Sequence, residues 1–162
     1  MKRFFTHLSL IIISVLTLSF VSCGENDFPD EGYFQIGETV YNINEASLTD
    51  LGYDEESDLY QLRLTLDNTS HNDFHSINVL FYSEVNTYLP SAIYTPYLYD
   101  NNFEHKFKRG AWLAGDTEGG VFVAGTIKVT KSNEKYIIHI NCKDINNNNI
   151  KADYEGRIQV RI

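Results

Sequence analysis

The sequence predicts an all-β domain: an antiparallel β-sandwich of about eight to nine strands, with a lipocalin-like β-barrel as the alternative closure of the same strands. Three observations carry this. Apolar and polar residues alternate over several segments, which is the period of a half-buried strand. Beyond the first 22 residues, no window of about 11 residues shows the 3.6-residue period of an amphipathic helix. Clusters of Asn, Asp, Gly and Ser separate the alternating segments, as turns require. Eleven Tyr and ten Phe add to the picture, because aromatic rings suit pleated surfaces.

Residues 1–22 stand apart from the fold. Lys2 and Arg3 form a positive end, and LSLIIISVLTLSFV at 8–21 is an apolar run of 14. A spanning helix needs about 20 such residues, so the run fits an export signal better than a permanent anchor. It ends in Phe20-Val21-Ser22-Cys23. This stretch resembles a lipobox, the site cut by the lipoprotein signal peptidase. Small Ser22 matches the pattern, and Phe20 departs from the usual Leu. The resemblance implies that Cys23 is lipidated through its sulfur and becomes the new N-terminus. One acyl chain binds a membrane marginally and two bind stably. An ordinary secretory signal with an incidental cysteine is the alternative.

The polar, acidic stretch after Cys23 reads as a flexible tether over 23–31. Gly24 follows the cysteine, so the Asp that retains some lipoproteins in the inner membrane is absent. The stretch is similar to the export signals of Bacteroidota surface lipoproteins. That resemblance implies an outer-membrane, lipid-anchored protein facing the cell surface. Residues 32–162 then form a single β domain, large enough to bury a core without disulfides or metals.

Within it, residues 33–36 and 39–45 read as a strand pair around Gly37, followed by an acidic loop over 46–58. Leu59 to Leu66 alternates, with Tyr60, Leu62, Leu64 and Leu66 on one face. The polar cluster 67–73 leads into Phe74 to Ser83, where Ile77, Val79 and Phe81 share a face. The segment 84–118 is irregular, with one strand near 91–98 and a short one near 109–114. Next, Val121, Val123, Ile127 and Val129 are expected to face inward, with Gly125 at a bulge or close approach. Tyr136, Ile138, Ile140 and Cys142 continue the scheme after the KSNE turn at 131–134. After the DINNNN turn at 144–149, the alternation from Ile150 to Ile162 reads as one last strand. The whole of GTIKVTKSNEKYIIHINCKDINNNNIKADYEGRI (125–158) resembles the C-terminal hairpins of small Bacteroidota surface lipoproteins. The resemblance implies a β-rich surface domain and supplies no active site.

Charge narrows the function classes. The formal charge is −9, and removing the signal takes away Lys2 and Arg3 and no acid, giving −11. Such a surface repels phosphate backbones and anionic lipid, so nucleic acid is excluded as a partner. With Cys23 lipidated, Cys142 has no disulfide partner and is expected to be buried.

Candidate chemistry is sparse. Asp144-x-Asn146-x-Asn148, with Glu155 at the twelfth place, mimics a calcium loop. Asn149 stands where such a loop needs Gly, however, and Lys151 lies beside the supposed cation, so a hairpin turn is the better reading. His71-x-Asp73-x-His75 places three metal-ligating residues on one face of an extended chain. A polar turn entering a strand accounts for them equally. Asp54, Glu55, Glu56 and Asp58 read as a solvated acidic loop. No nucleophile elbow, zinc-protease helix or phosphate-cradling loop is present, and no cofactor is implied. Tyr97, Tyr99 and Trp112, near Asn101, Asn102 and Lys106, form the lead for ligand binding, since sugar rings stack on aromatic faces. The alternative is that these rings fill the core.

These features order three functions. The first is a membrane-anchored binding or adhesion module for a glycan or a partner protein. The second is a structural or accessory subunit of an outer-membrane complex. The third is a hydrolase whose carboxylates converge only in the fold.

Overall fold

A computed structural model describes residues 31–69, 74–99, 102–115 and 118–161. Residues 1–30, which hold the expected signal, Cys23 and most of the expected tether, lie outside the described residues. Eleven strands follow in order: β1 (Glu31–Ile36), β2 (Thr39–Asn42), β3 (Glu45–Asp54), β4 (Leu59–Asn68), β5 (His75–Ser83), β6 (Ala92–Pro96), β7 (Lys106–Ala114), β8 (Glu118–Ser132), β9 (Lys135–Asp144), β10 (Asn149–Arg157) and β11 (Gln159–Arg161). Among the described residues no helix is long and apolar enough to cross a membrane.

The all-β class holds, but the arrangement differs from an antiparallel sandwich of eight to nine strands. One mixed sheet runs β11-β3-β4-β5-β7-β6-β8-β9-β10-β1-β2, with a further β7–β8 pairing. Two of its pairs, β11–β3 and β6–β7, are parallel. Chain connectivity forces this sheet to curl. β2 lies at one edge and β3 next to the other, yet only Ile43 and Asn44 separate them. Three residue steps span at most about 11 Å. β10 and β11 are likewise joined through Ile158 alone. The two edges of the sheet therefore come together, and the Asn68 side-chain amide on β4 donates to the Asn42 carbonyl on β2 across the gap at 2.7 Å.

The concave side holds one apolar core. Phe34, Leu48, Leu62, Leu64, Ile77, Val79, Phe81, Ile127, Ile138 and Ile150 are fully buried in it. Each such side chain contributes on the order of 1.5–3 kcal/mol. The expected inward faces of β4, β5, β9 and the first part of β10 are therefore observed.

Three segments differ from the sequence reading. Most of the expected 46–58 loop is β3, because Ala46 and Leu48 turn inward in register with Leu66 and Leu64. The acids mark only the tight turn at 55–58. In β8, Phe122 is buried while Val121 and Val123 are 37% and 50% exposed. A bulge between Phe122 and Ala124 reverses the alternation, so Ile127 and Val129 still face inward. Lastly, 150–162 is not one strand. The chain leaves β10 at Ile158, crosses the gap and pairs with β3, which leaves Val160 40% exposed.

Candidate functional site

The concave feature richest in rings lies at one end of the curled sheet, where the β3–β4 turn, the end of β5 and the loops flanking β6 meet. It is a pocket of about 650 Å³ lined by Tyr82, Tyr94, Phe103 and His105, with the carboxylates of Asp58, Glu84 and Glu104 at its margin. Tyr94 belongs to the core below and donates to the Pro90 carbonyl at 2.9 Å. Its ring meets Phe81 edge-on at 4.7 Å. Tyr82 follows Phe81 on β5, so it points out of the sheet, yet it is buried. The segment after β6 covers it. Tyr82 meets Tyr97 at 5.7 Å and Phe103 at 4.9 Å, both edge-on. Tyr97 and Phe103 stack on each other at 4.7 Å and 20°. Tyr99 stands at 5.2 Å from Tyr97 and is 87% exposed. Such edge and offset arrangements contribute about 0.5–1.5 kcal/mol each beyond their buried area.

Backbone strain concentrates here. Asp58, Tyr99, His105, Asn133 and Asn147 have positive φ among the described non-glycine residues. The two asparagines occupy turns, where that geometry is common. Tyr99 and His105 are bulky and belong to the pocket-covering segment, with φ of 62° and 52°. Strain of about 1–3 kcal/mol per residue is held where surrounding contacts over-determine it, and it collects at binding sites.

Burial, with the nearby carboxylates of Asp54 and Glu56, pushes the Tyr82 hydroxyl up to about 12, so it remains a neutral donor. Asp54 sits below the usual carboxylate range. Hydrogen bonding from Gln61 is the main cause, aided by Ser57 and Lys108 against the opposing effect of burial.

The structure separates the three aromatic residues singled out in the sequence. Tyr97 and Tyr99 belong to the pocket cluster. Trp112 lies further along β7, buried, with its indole N–H on the Asp144 carboxylate at 2.9 Å. Tyr82, Phe103, Glu84, Glu104 and His105 were not singled out. A ring at 82, on the opposite parity from the inward Phe81, was the one available signal for an aromatic on the outer face.

The other candidates resolve into structure. Asp144 accepts from the Asn146 and Asn148 amides at 2.9 and 2.8 Å, so it organises its own turn. Glu155 lies within β10, opposite Glu31. His75 stacks on Tyr41 at 4.0 Å, while His71 and Asp73 lie outside the described residues. Among the described residues no group of three or more His, Cys, Asp or Glu is arranged to hold a metal ion. Cys142 is buried and free, and burial pushes its thiol up to about 12.

A second cleft, of about 600 Å³, opens on the outer face of β1, β10 and β9. There Tyr33 donates to Asp153 at 2.6 Å, and His139 meets the other Asp153 oxygen. The three are cross-strand neighbours, which explains the row.

Compared with known proteins, the chain matches no family model, no curated protein and no solved structure. The functional reading therefore rests on residues and geometry.

Proposed function

We propose that this chain is a membrane-anchored surface lipoprotein that acts as a binding module, taking a glycan in the aromatic pocket at the end of the sheet. The lipobox-like FVSC sequence and the acidic stretch after Cys23 support the anchor and the surface location. The observation that carries the binding reading is the pocket wall itself. Phe103 lines a space of about 650 Å³ beside the buried Tyr82 ring, and Tyr97 and strained, exposed Tyr99 continue the aromatic surface outward. Sugars have apolar faces that stack on such rings, while neighbouring polar groups hold their hydroxyls.

The test is a glycan screen on the full 162-residue chain, read by thermal shift. A ligand bound only by the folded state raises the melting temperature with occupancy. The expected result is a shift for at least one sugar, lost in Phe103→Ala and reduced in Tyr97→Ala, but kept in Trp112→Phe. A chain that shifts with no sugar would sink the glycan reading. Lipid anchoring is tested separately, by mass spectrometry of the N-terminal peptide and by release of Cys23→Ser into the soluble fraction.

One observation favours the accessory-subunit function as a second reading. Leu113, Val121 and Val123 are 44%, 37% and 50% exposed on the outer face of the β7–β8 pair. Cross-linking in cells through this face would report a protein partner.

A further inference from the structure

The charges around the aromatic pocket are one-sided. Asp58, Glu84 and Glu104 line it, and no lysine or arginine does among the described residues. His105 is its one basic ring there. The Tyr82 hydroxyl stays neutral. The chain as a whole carries −9, a charge of the same sign.

The protein supplies a cation to this surface from its own sequence. The Lys108 ammonium lies 5.6 Å above the Tyr82 ring and 3.6 Å from the Asp54 carboxylate. A ring face and a carboxylate on one ammonium form the combination by which aromatic sites recognise organic cations. The pocket lining combines the Phe103 ring with acids as well. Asp58 and His105 sit in it on left-handed backbone, φ 59° and 52°, so these two lining side chains start from constrained positions. Asp58 is further held by the Tyr53 hydroxyl. A site organised before binding loses less entropy when it takes its ligand.

We propose that the pocket selects glycans bearing a free, protonated amino group, with the sugar's apolar face on Phe103 and its ammonium toward the acids of the lining, Asp58, Glu84 and Glu104. This rests on the glycan reading above and specifies the sugar. N-acetylation removes the charge and adds bulk, so acetylated sugars bind as neutral ones do. Uronic acids bring a carboxylate to a field of the same sign and are rejected.

The experiment is calorimetric titration of the full chain, at low salt and mildly acidic pH. The probes are four tetramers: glucosamine, N-acetylglucosamine, glucose and galacturonic acid. The expected result is that the glucosamine tetramer binds about tenfold or more tightly than either neutral tetramer, and galacturonic acid does not bind. The preference should shrink as salt is added, since exposed charges are screened. In Glu84→Gln/Glu104→Gln the ratio of glucosamine to glucose affinity should fall several-fold, and an unchanged ratio in the folded variant overturns the amine selectivity. If that variant unfolds, the salt dependence of the wild-type preference decides. Equal affinity for glucosamine and glucose overturns the amine selectivity and leaves the glycan reading standing. No sugar binding by a folded chain overturns both. Binding of a lysine-rich peptide without sugar binding also overturns the proposal, in favour of a basic protein partner.

Discussion

Trp112 and Asp144 are joined across the sheet by one buried hydrogen bond, from the indole N–H to Oδ2 at 2.9 Å. Asp144 closes β9 and is 1% exposed, and its carboxylate also holds the Asn146 amide and both the amide and side chain of Asn148. Burial alone would raise its carboxyl. The donors from Asn148, Trp112 and Asn146 outweigh that, and it lies below the ordinary range. A single carboxylate thus ties the last hairpin to β7.

Asp144→Ala leaves these donors without their acceptor, and the expected loss is about 2–4 kcal/mol, read by urea denaturation. Gly120→Ala should destabilise through the same contact. A Cβ there would stand 2.5 Å from both the Trp112 nitrogen and Asp144 Oδ2. Unchanged midpoints in both variants would remove Asp144 as the organiser of this corner.

Asp67 behaves oppositely. It faces Glu45 across the β3–β4 pair, with Arg161 nearby, and its Oδ1 is buried without a hydrogen bond among the described residues. Burial, reinforced by Glu45 and opposed by Arg161, raises its carboxyl to about 6. The folded state then holds this proton more tightly than the unfolded chain. Stability therefore increases as pH falls from about 7 to about 5, and the ionised group opposes folding above 6. A two-unit shift corresponds to about 3 kcal/mol, and solvent screening of this half-exposed group reduces it to about 1 kcal/mol. Asp67→Asn should be more stable than wild type by about that amount at pH 8 and nearly equal at pH 5. A wild-type melting curve flat between pH 5 and 8 would contradict this.

Asp54, Asp144 and Asp153 all lie below the usual carboxylate value. Their contribution is present above about pH 4 and is lost as pH falls below it. Taken with Asp67, they place maximum stability between about pH 4 and 6, measurable as the melting temperature across a buffer series.

Cys142 should resist thiol reagents in the folded protein. Burial pushes it up to about 12, and its sulfur lies near the Thr126 carbonyl at 3.8 Å. At pH 8 the thiolate fraction falls roughly a thousandfold below that of a free cysteine. Mass-spectrometric mapping of alkylation should find residue 142 modified only in denaturant. Rapid native labelling would show that β9 opens readily.

Gly125→Ala should be among the most disruptive small substitutions. Gly125 has φ of 117°, and an added Cβ would sit 2.3 Å from the Asn141 carbonyl oxygen. The expected cost is about 3 kcal/mol or more, visible as reduced soluble yield or a lowered melting temperature.

The all-β class and many of the strands were determined by the sequence alone, because alternation and turn residues are local properties. Leu62, Leu64 and Leu66 needed only their own spacing to be placed on the core face, as did Ile138, Ile140 and Cys142. Gly125 was legible because a glycine inside an alternating run packs no side chain and so marks a bulge or a close backbone approach. The tertiary structure decided the rest. The bulge after Phe122 reversed the faces of Val121 and Val123, since one extra residue shifts every side chain that precedes it to the other face. The crossing at Ile158 turned one apparent strand into two, and that depends on where the far edge of the sheet arrives. The aromatic site divided for the same reason. Tyr97 and Tyr99 joined Tyr82 and Phe103 on a pocket, while Trp112 found Asp144, because proximity in a curled sheet follows strand order and not distance along the chain.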